Sequence, residues 1–257
     1  MDILALRNVS KHFGGVAAVD GVNCSVRQGE IFGLIGPNGA GKTTLLNVIC
    51  GLADPYQGEI TFKDQRIAGK KPWDIARLGI GRTFQIVQPF HGLTIRENVA
   101  IGAMFGKKGH EGSIKEALSL ADKALELTGL SHRADDLATQ ITLSQRKRLE
   151  MARALAMEPD LLLLDEVMAG LHLTEISEMM EIVKRVNEQG ITIFIIEHVM
   201  KAVMGISHRI MVLHYGKTIA VDTPERIAEN SRVIEVYLGE RYAARRAKRL
   251  AGSEMGS

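Results

Sequence analysis

The sequence predicts an α/β protein with a mainly parallel sheet, and three apolar runs carry this prediction. Ile31–Ile35, Leu161–Leu164 and Ile191–Ile196 are apolar almost throughout, without the alternation of a strand that has one face in water. Strands of this kind are typical of parallel sheets that are covered on both faces. Thr174–Gln189, between the second and third runs, has helical length, so a right-handed strand–helix–strand crossover is expected.

The other elements of the core are predicted in chain order from the alternation of apolar residues and from turn residues. A turn at Phe13-Gly14-Gly15 separates the first two strands, and Tyr215-Gly216 separates the last two. The predicted strands are Ile3–Val9, Val22–Val26, Glu59–Phe62, Gly79–Phe84, Ile210–Leu213 and Thr218–Val221. Helices are predicted at Thr44–Cys50, at Trp73–Leu78 behind Pro72, and from Pro224 onward.

The pattern changes between Thr94 and Met157, where apolar residues recur at helical spacing and β-branched alternation is missing. This stretch is therefore predicted to be mostly helical, as an insert at about residues 90–157. Four glycines predict a mobile connection inside the insert: Gly102, Gly106, Gly109 and Gly112. The expected organisation is one domain over residues 1–240, followed by a basic tail over residues 241–257.

Composition places the chain among ordinary soluble proteins. Of 257 residues, 46% are hydrophobic and 24% are charged, and the net charge of +2 gives no reason to expect a nucleic-acid partner. Cys24 and Cys50 provide neither a disulfide framework nor metal-ligand spacing. Because no signal peptide and no apolar run of membrane length is seen, we expect a cytoplasmic protein that reaches a membrane only through a partner.

A glycine-rich loop follows the first apolar run and precedes a predicted helix. It fits the pattern G-x-x-x-x-G-K-[ST], in which backbone N–H groups and a helix N-terminus surround phosphate oxygens. Its residues are Gly36, Pro37, Asn38, Gly39, Ala40, Gly41, Lys42 and Thr43, with Thr44 next. Lys42 is expected to reach the β- and γ-phosphates and Thr43 to ligate Mg²⁺. The loop predicts nucleoside triphosphate binding rather than a flexible turn.

Polar residues follow three other predicted strands, where parallel sheets bind ligands. Asp165 is a candidate Mg²⁺ ligand, and Glu166 a candidate base for an attacking water. His198 could reach a γ-phosphate, and the Gln85 amide could contact Mg²⁺ or the water. The alternatives are a helix cap for Asp165-Glu166, a structural histidine and a surface glutamine.

Taken together, these residues resemble the ATP-binding cassette (ABC) ATPases over about residues 3–240. The resemblance implies an ABC-type nucleotide-binding domain, with a P-loop core, a mixed or parallel sheet and a helical subdomain. Gln85 matches the family's Q-loop, Asp165 and Glu166 its second nucleotide motif, and His198 its switch histidine. Phe13 falls where the family stacks an aromatic ring on adenine, although a packed core phenylalanine is equally compatible with its spacing.

The chain is more specifically similar to the branched-chain amino-acid import ATPases, and related urea-import and lipopolysaccharide-export ATPases share much of this pattern. The similarity is carried by short segments: Phe13-Gly14-Gly15, Arg82-Thr83-Phe84-Gln85, Leu93–Asn98, Val203–Ser207 and Tyr237–Glu240. The resemblance implies ATP and Mg²⁺ as cofactors, a second ABC ATPase subunit, integral membrane permease subunits, and a location at the inner face of the cell membrane.

The segment that matches the family's Leu-Ser-x-Gly-Gln signature departs from it. Thr142 keeps a hydroxyl and Gln145 is retained, but Ser144 replaces the glycine that lets a backbone N–H approach a γ-phosphate. Val167 replaces a proline, and His172 replaces an Asp or Asn. A Cβ at position 144 is expected to crowd the phosphate; the alternative is that the hydroxyl of Ser144 donates to it.

Two other classes of function and an unassigned tail remain. A soluble ABC-type regulator or nucleic-acid remodeller usually carries two cassettes in one chain, and this chain has one. A nucleotide kinase or GTPase would not explain Gln85, His198 and the signature-like segment together. The tail Arg241–Arg249 is basic and predicted to be helical, either as a solvated terminal helix or in contact with anionic lipid.

Overall fold

The computed structural model describes residues 1–55, 57–84, 89–107 and 113–238. The strands are β1 (Asp2–Phe13), β2 (Val16–Arg27), β3 (Ile31–Ile35), β4 (Gln57–Phe62), β5 (Gln65–Arg66), β6 (Ile80–Arg82), β7 (Leu161–Asp165), β8 (Thr192–Ile196), β9 (Arg209–His214) and β10 (Lys217–Asp222). The helices are α1 (Lys42–Ile49), α2 (Pro72–Leu78), α3 (Ile95–Met104), α4 (Ile114–Thr128), α5 (Leu143–Leu155), α6 (Leu173–Glu188), α7 (Met200–Ile206), α8 (Pro224–Glu229) and α9 (Ser231–Leu238). Ser131–Arg133 adds a short 3-10 turn.

The larger sheet has the strand order β10-β9-β3-β8-β7-β6. β3 pairs in parallel with β8 and β9, β7 pairs in parallel with β8 and β6, and β10 closes the edge antiparallel to β9. Every residue of β3, β7 and β8 is buried. The predicted buried strands, their α6 crossover and the closing hairpin are therefore confirmed.

Alternate residues of β7 and β8 feed two separate hydrophobic cores. On one face, Leu163 of β7 and Phe194 of β8 pack towards α1 and the smaller antiparallel sheet, whose order is β2-β1-β4-β5. On the other face, Leu162 and Ile193 pack against the helices α3 to α6. Because both faces are covered by apolar residues, the central strands carry no alternation.

The segment between β6 and β7 contains α3, α4 and α5, so the helical prediction for this stretch is confirmed. Two of its glycines serve close packing rather than a mobile connection. Gly102 lies inside α3, where an added Cβ would be 2.3 Å from the carbonyl oxygen of Arg153. At Gly106 a Cβ would be 2.5 Å from the carbonyl oxygen of Met157. Gly109 and Gly112 lie outside the described residues.

The sequence prediction missed α7 and the two-residue strand β5, and it made β1 and β2 too short. It also ended β6 too late, because Thr83 and Phe84 follow the last paired residue. None of the helices in the described part of the chain has the length and apolar character needed to cross a membrane.

The contact at Gly102 gives a test of this packing. Gly102→Ala is expected to lower the melting temperature, because the added Cβ meets rigid backbone and overpacking costs about 1–3 kcal/mol. This cost outweighs the gain in helix propensity from alanine, which is about 1 kcal/mol. Gly205→Ala in α7 is the matched control, since its Cβ would meet only the flexible end of Met180 at 3.1 Å. Equal melting temperatures for the two variants would contradict the close approach of α3 and α5.

Candidate nucleotide site

The loop between β3 and α1 passes close to backbone on both sides. A Cβ at Gly36 would lie 2.2 Å from the carbonyl oxygen of Leu213, and one at Gly41 would lie 2.1 Å from that of Ala18. Gly41 also has φ of 101°, which only glycine adopts readily. The loop therefore needs glycine at both positions because β2 and β9 leave no room for a side chain.

Lys42 begins α1 and folds back over the loop. Its Nζ donates to the carbonyl oxygens of Gly36 at 2.7 Å and Pro37 at 3.1 Å. Burial lowers the pKa of Lys42, and the nearby charges of Glu166 and Asp165 oppose that shift. An ammonium group held among carbonyls can exchange them for phosphate oxygens, which are charged acceptors and bind it more strongly.

A cavity opens beside this loop. It is lined by residues 38–44, by Ala18, and by Glu166 and His198. Asn38, Gly39 and Thr43 are exposed along it, whereas Ala40 is buried. The structure thus brings the loop and the two candidate catalytic residues Glu166 and His198 to one place.

Asp165 ends β7 as a buried carboxylate with one satisfied oxygen. Its Oδ2 accepts from Arg82 Nη2 at 2.9 Å, and Arg82 also donates to Asn47 Oδ1 at 2.8 Å. The other oxygen, Oδ1, is buried without a hydrogen-bond partner among the described residues. A hard cation such as Mg²⁺ takes oxygen ligands, so this carboxylate fits the metal role predicted for it.

Glu166 and His198 form a direct pair across the ends of β7 and β8. Glu166 Oε1 lies 2.6 Å from His198 Nε2. The backbone of Glu166 is left-handed, with φ of 52°, and its N–H donates to the carbonyl oxygen of Ile196 at 2.9 Å. Its own carbonyl oxygen accepts from Lys147 Nζ at 3.0 Å. The unusual turn at Glu166 is therefore held by both β8 and α5.

Glu197 precedes His198 and is almost fully buried. Its Oε1 accepts from the N–H of Met168 at 2.7 Å. Burial raises the pKa of Glu197 to about 7, against the hydrogen bonds from the backbone of Met168 and His198. Sequence reasoning missed Glu197, Lys147 and Arg82 as parts of the site, and the only signal for Glu197 was a charged residue at the end of an apolar strand.

The signature-like residues lie at the start of α5, away from the phosphate-loop cavity. Thr142 caps this helix: its Oγ1 accepts from Gln145 N at 3.3 Å, while its own N–H donates to Gln145 Oε1 at 3.0 Å. Ser144 is buried. Thr142, Ser144 and Gln145 line a separate hollow together with His132 and Glu175. Within one chain, these residues therefore do not meet the phosphate loop.

Phe13 does not line the cavity. Phe13 is 55% exposed at the end of β1, with Lys11 Nζ 5.2 Å from its ring centroid. The packed-core alternative for Phe13 is therefore excluded, and its ring is available for stacking. Gln85 lies outside the described residues, as does the basic tail over residues 241–257.

The fold and cavity together define a phosphate-loop nucleotide-binding protein. The chain belongs to the ABC transporter family, whose model matches residues 19–169. A second model, described as the branched-chain amino acid ATP-binding cassette transporter, matches residues 217–243. The family and subgroup resemblances seen in the sequence are thereby confirmed.

Known relatives extend over nearly the whole chain. The high-affinity branched-chain amino acid transport ATP-binding protein LivG of Salmonella typhimurium is 39% identical over 250 residues, covering 93% of this chain and 98% of the relative. The solved ADP conformation of an ATP-binding cassette of an ABC transporter has a TM-score of 0.85 and 33% identity, covering 93% and 100%. A dimeric cassette in a post-hydrolysis state, bound to ADP and Pi, has a TM-score of 0.76 and 27% identity, covering 86% and 98%.

Replacement of Lys42 tests the phosphate loop. Lys42→Ala is expected to weaken ATP binding by about 10–100-fold, because a charge-assisted hydrogen bond contributes about 1.5–3 kcal/mol. The dissociation constant is measured by calorimetry or with a fluorescent ATP analogue. Lys123→Ala, at an exposed lysine of α4, is the control. Unchanged affinity in Lys42→Ala would show that this lysine does not contact the nucleotide.

Proposed function

We propose that this chain is an ATPase subunit that binds ATP with Mg²⁺ and powers solute import through separate membrane subunits. The observation that carries the proposal is the pairing of Glu166 with His198 at 2.6 Å beside the phosphate-loop cavity. A carboxylate placed at that edge can accept a proton from a water that attacks the γ-phosphate. The same site without a base would bind nucleotide but would not hydrolyse it.

Each predicted residue has a defined task in this proposal. The loop N–H groups from Gly36 to Thr44 and the ammonium of Lys42 hold the phosphates, and Phe13 stacks on adenine. Thr43, Asp165 and Gln85 would hold Mg²⁺, which would neutralise charge that develops on the phosphate oxygens. Arg82 orients Asp165 so that its Oδ1 remains available for the metal.

Glu166 and His198 share the chemical step. Glu166 takes the proton of the attacking water, and Lys147 and the β8 backbone fix the position of the Glu166 main chain. His198 holds the carboxylate through Nε2 and can turn to the γ-phosphate when ATP is present. His198 thus orients the carboxylate of Glu166, and that carboxylate accepts the proton of the attacking water. These two roles together account for the proposed hydrolysis.

We infer that the transported solutes are branched-chain amino acids. The inference is supported by the 39% identity to LivG and by the subgroup match at residues 217–243. A urea-import or export ATPase, or a regulator without a transporter, has no comparable support among these relatives.

In the proposed transporter, this chain would lie at the inner face of the membrane, against permease subunits. Phe84, Phe90 and Phe105 are 52%, 43% and 53% exposed around the start of the helical insert. Exposed aromatic residues of this kind are typical of protein–protein contacts. We assign the permease contact to this region; Phe84 directly precedes Gln85 in the sequence.

A second cassette completes each site in the proposed assembly. The phosphate loop of one chain would face Thr142, Ser144 and Gln145 of the other, consistent with the separation of these groups within one chain. The dimeric cassette relative supports this arrangement. The altered signature of this chain would then complete the site of its partner. If the partner is a different cassette, only one of the two sites would contain the alteration.

Replacement of the proposed base tests the function. Glu166→Gln is expected to keep ATP binding and to lower hydrolysis by about 10²–10⁴-fold, because the amide cannot accept the proton. ATP turnover and leucine uptake are measured in proteoliposomes that contain the permease subunits and the second cassette. Glu181→Gln, at an exposed carboxylate of α6, is the control. Near-normal hydrolysis in Glu166→Gln would exclude Glu166 as the base. If the wild type hydrolyses ATP normally but takes up no leucine, the import role is excluded.

The altered signature gives a separate test. We expect weak ATPase activity for this chain alone and higher activity with the second cassette. Ser144→Gly is expected to raise the activity of the isolated chain by about tenfold or more, since one donor aimed at developing charge contributes about 10²–10³-fold. Ser144→Ala keeps the Cβ and should remain as weak as the wild type. A further loss in Ser144→Ala would instead favour donation by the serine hydroxyl.

A further inference from the structure

Lys147 joins the signature helix to the backbone of Glu166. This lysine is 6% exposed on α5, and its Nζ donates to the Glu166 carbonyl oxygen at 3.0 Å. Ser144 is three residues earlier on the same helix, so the two side chains lie on one face of α5. Both are buried. Ser144 and Lys147 are therefore about one helical turn apart, and the side chain of Lys147 reaches the main chain of Glu166, the proposed base.

Glu197 holds the same segment at Met168. Its Oε1 accepts from Met168 N–H at 2.7 Å, and the residue is 1% exposed at the end of β8. The buried charge of Lys147 favours the ionised form of Glu197, while Glu166 opposes it. The segment of residues 166–168 is therefore held at its first residue by a buried lysine of α5 and at its third by a buried glutamate that follows β8.

A third contact links α5 to the end of this turn. A Cβ on Gly170 would lie 3.3 Å from Leu143 Cδ2, and Leu143 is the first residue of α5. The backbone of Glu166 is left-handed, a conformation that non-glycine residues seldom adopt and that the surrounding structure must hold in place. Lys147 supplies that constraint at Glu166 itself, and Glu197 supplies it two residues later, at Met168.

We propose that Lys147 is a positioning residue that, together with Glu197, fixes the backbone of Glu166 and couples its carboxylate to the N-terminus of α5. The proposal rests on the proposed function, in which that N-terminus faces the nucleotide of the partner cassette. A shift of α5 on nucleotide contact moves the Lys147 ammonium and with it the Glu166 carbonyl. Hydrolysis in one site thereby depends on the occupancy of the other.

The first variant removes the lysine contact and keeps its volume. Lys147→Met is expected to lower kcat for ATP on the order of tenfold to a hundredfold, because small misplacement of a catalytic group has effects of this size. The dissociation constant for ATP should stay within about twofold, since the phosphate loop is not touched. Lys123→Met on the exposed face of α4 is the control. Hydrogen–deuterium exchange of residues 166–172 should become faster only in Lys147→Met.

A matched pair of variants at Glu197 tests the contact with Met168. Glu197→Gln keeps an oxygen acceptor for the Met168 N–H, whereas Glu197→Leu removes it at similar volume. Glu197→Gln should retain more of kcat than Glu197→Leu, and exchange at residues 166–172 should rise more in the leucine variant. These two rankings would not be expected if Glu197 acted only through its charge.

The outcomes separate this proposal from the proposed function. If the wild type hydrolyses ATP while Lys147→Met changes neither kcat nor exchange, the coupling is wrong. Equal losses of ATP affinity and kcat in Lys147→Met would also overturn it, because they indicate general loosening. If the wild type does not hydrolyse ATP, the proposed function fails, and the exchange measurement alone decides whether Lys147 positions Glu166.

Discussion

The complete burial of β3, β7 and β8 is the constraint on which the rest of the structure depends. Strands with no exposed face must be covered by two layers, here the helices on one side and α1 with the antiparallel sheet on the other. Parallel pairing then brings their carboxyl ends to one edge. The phosphate loop, the Asp165-Glu166 pair and His198 follow these three ends, so the site is assembled by the packing of the core.

Charges at this edge are arranged as neighbouring pairs. Arg82 balances Asp165, Lys147 holds the Glu166 carbonyl, and Lys42 is within the influence of both carboxylates. Burial weakens the preference of Lys42 for its charged form and raises the pKa of Glu197. A site of this kind suits a strongly anionic ligand that is bound together with a cation. The anion would balance the charge of Lys42, and the cation would balance the charge of the carboxylates.

The residues that depart from the family pattern do not line the phosphate-loop cavity of this chain. Gly36–Thr43, Asp165, Glu166 and His198 keep the residue types that ATP hydrolysis requires, whereas Ser144, Val167 and His172 depart from the family pattern. The residue types for hydrolysis thus belong to the site of this chain, Ser144 is proposed to face the site of its partner, and Val167 is buried in the core on the helical side. Such a division suits a pair of unlike cassettes, in which one site is complete and the other is modified.

The sequence by itself determined the buried strands, the phosphate loop, the carboxylate pair and the helical insert, because each is a local pattern of apolar spacing, glycine or charge. It did not reveal contacts between distant segments, and these were decided by tertiary structure: Arg82 with Asp165, Lys147 with the Glu166 carbonyl, Glu197 with Met168, and the close approach at Gly102. A lysine or glycine looks the same in the sequence whether it is solvated or pressed against another backbone. Only the folded chain brings its partner within reach, and so only the fold shows what positions Glu166.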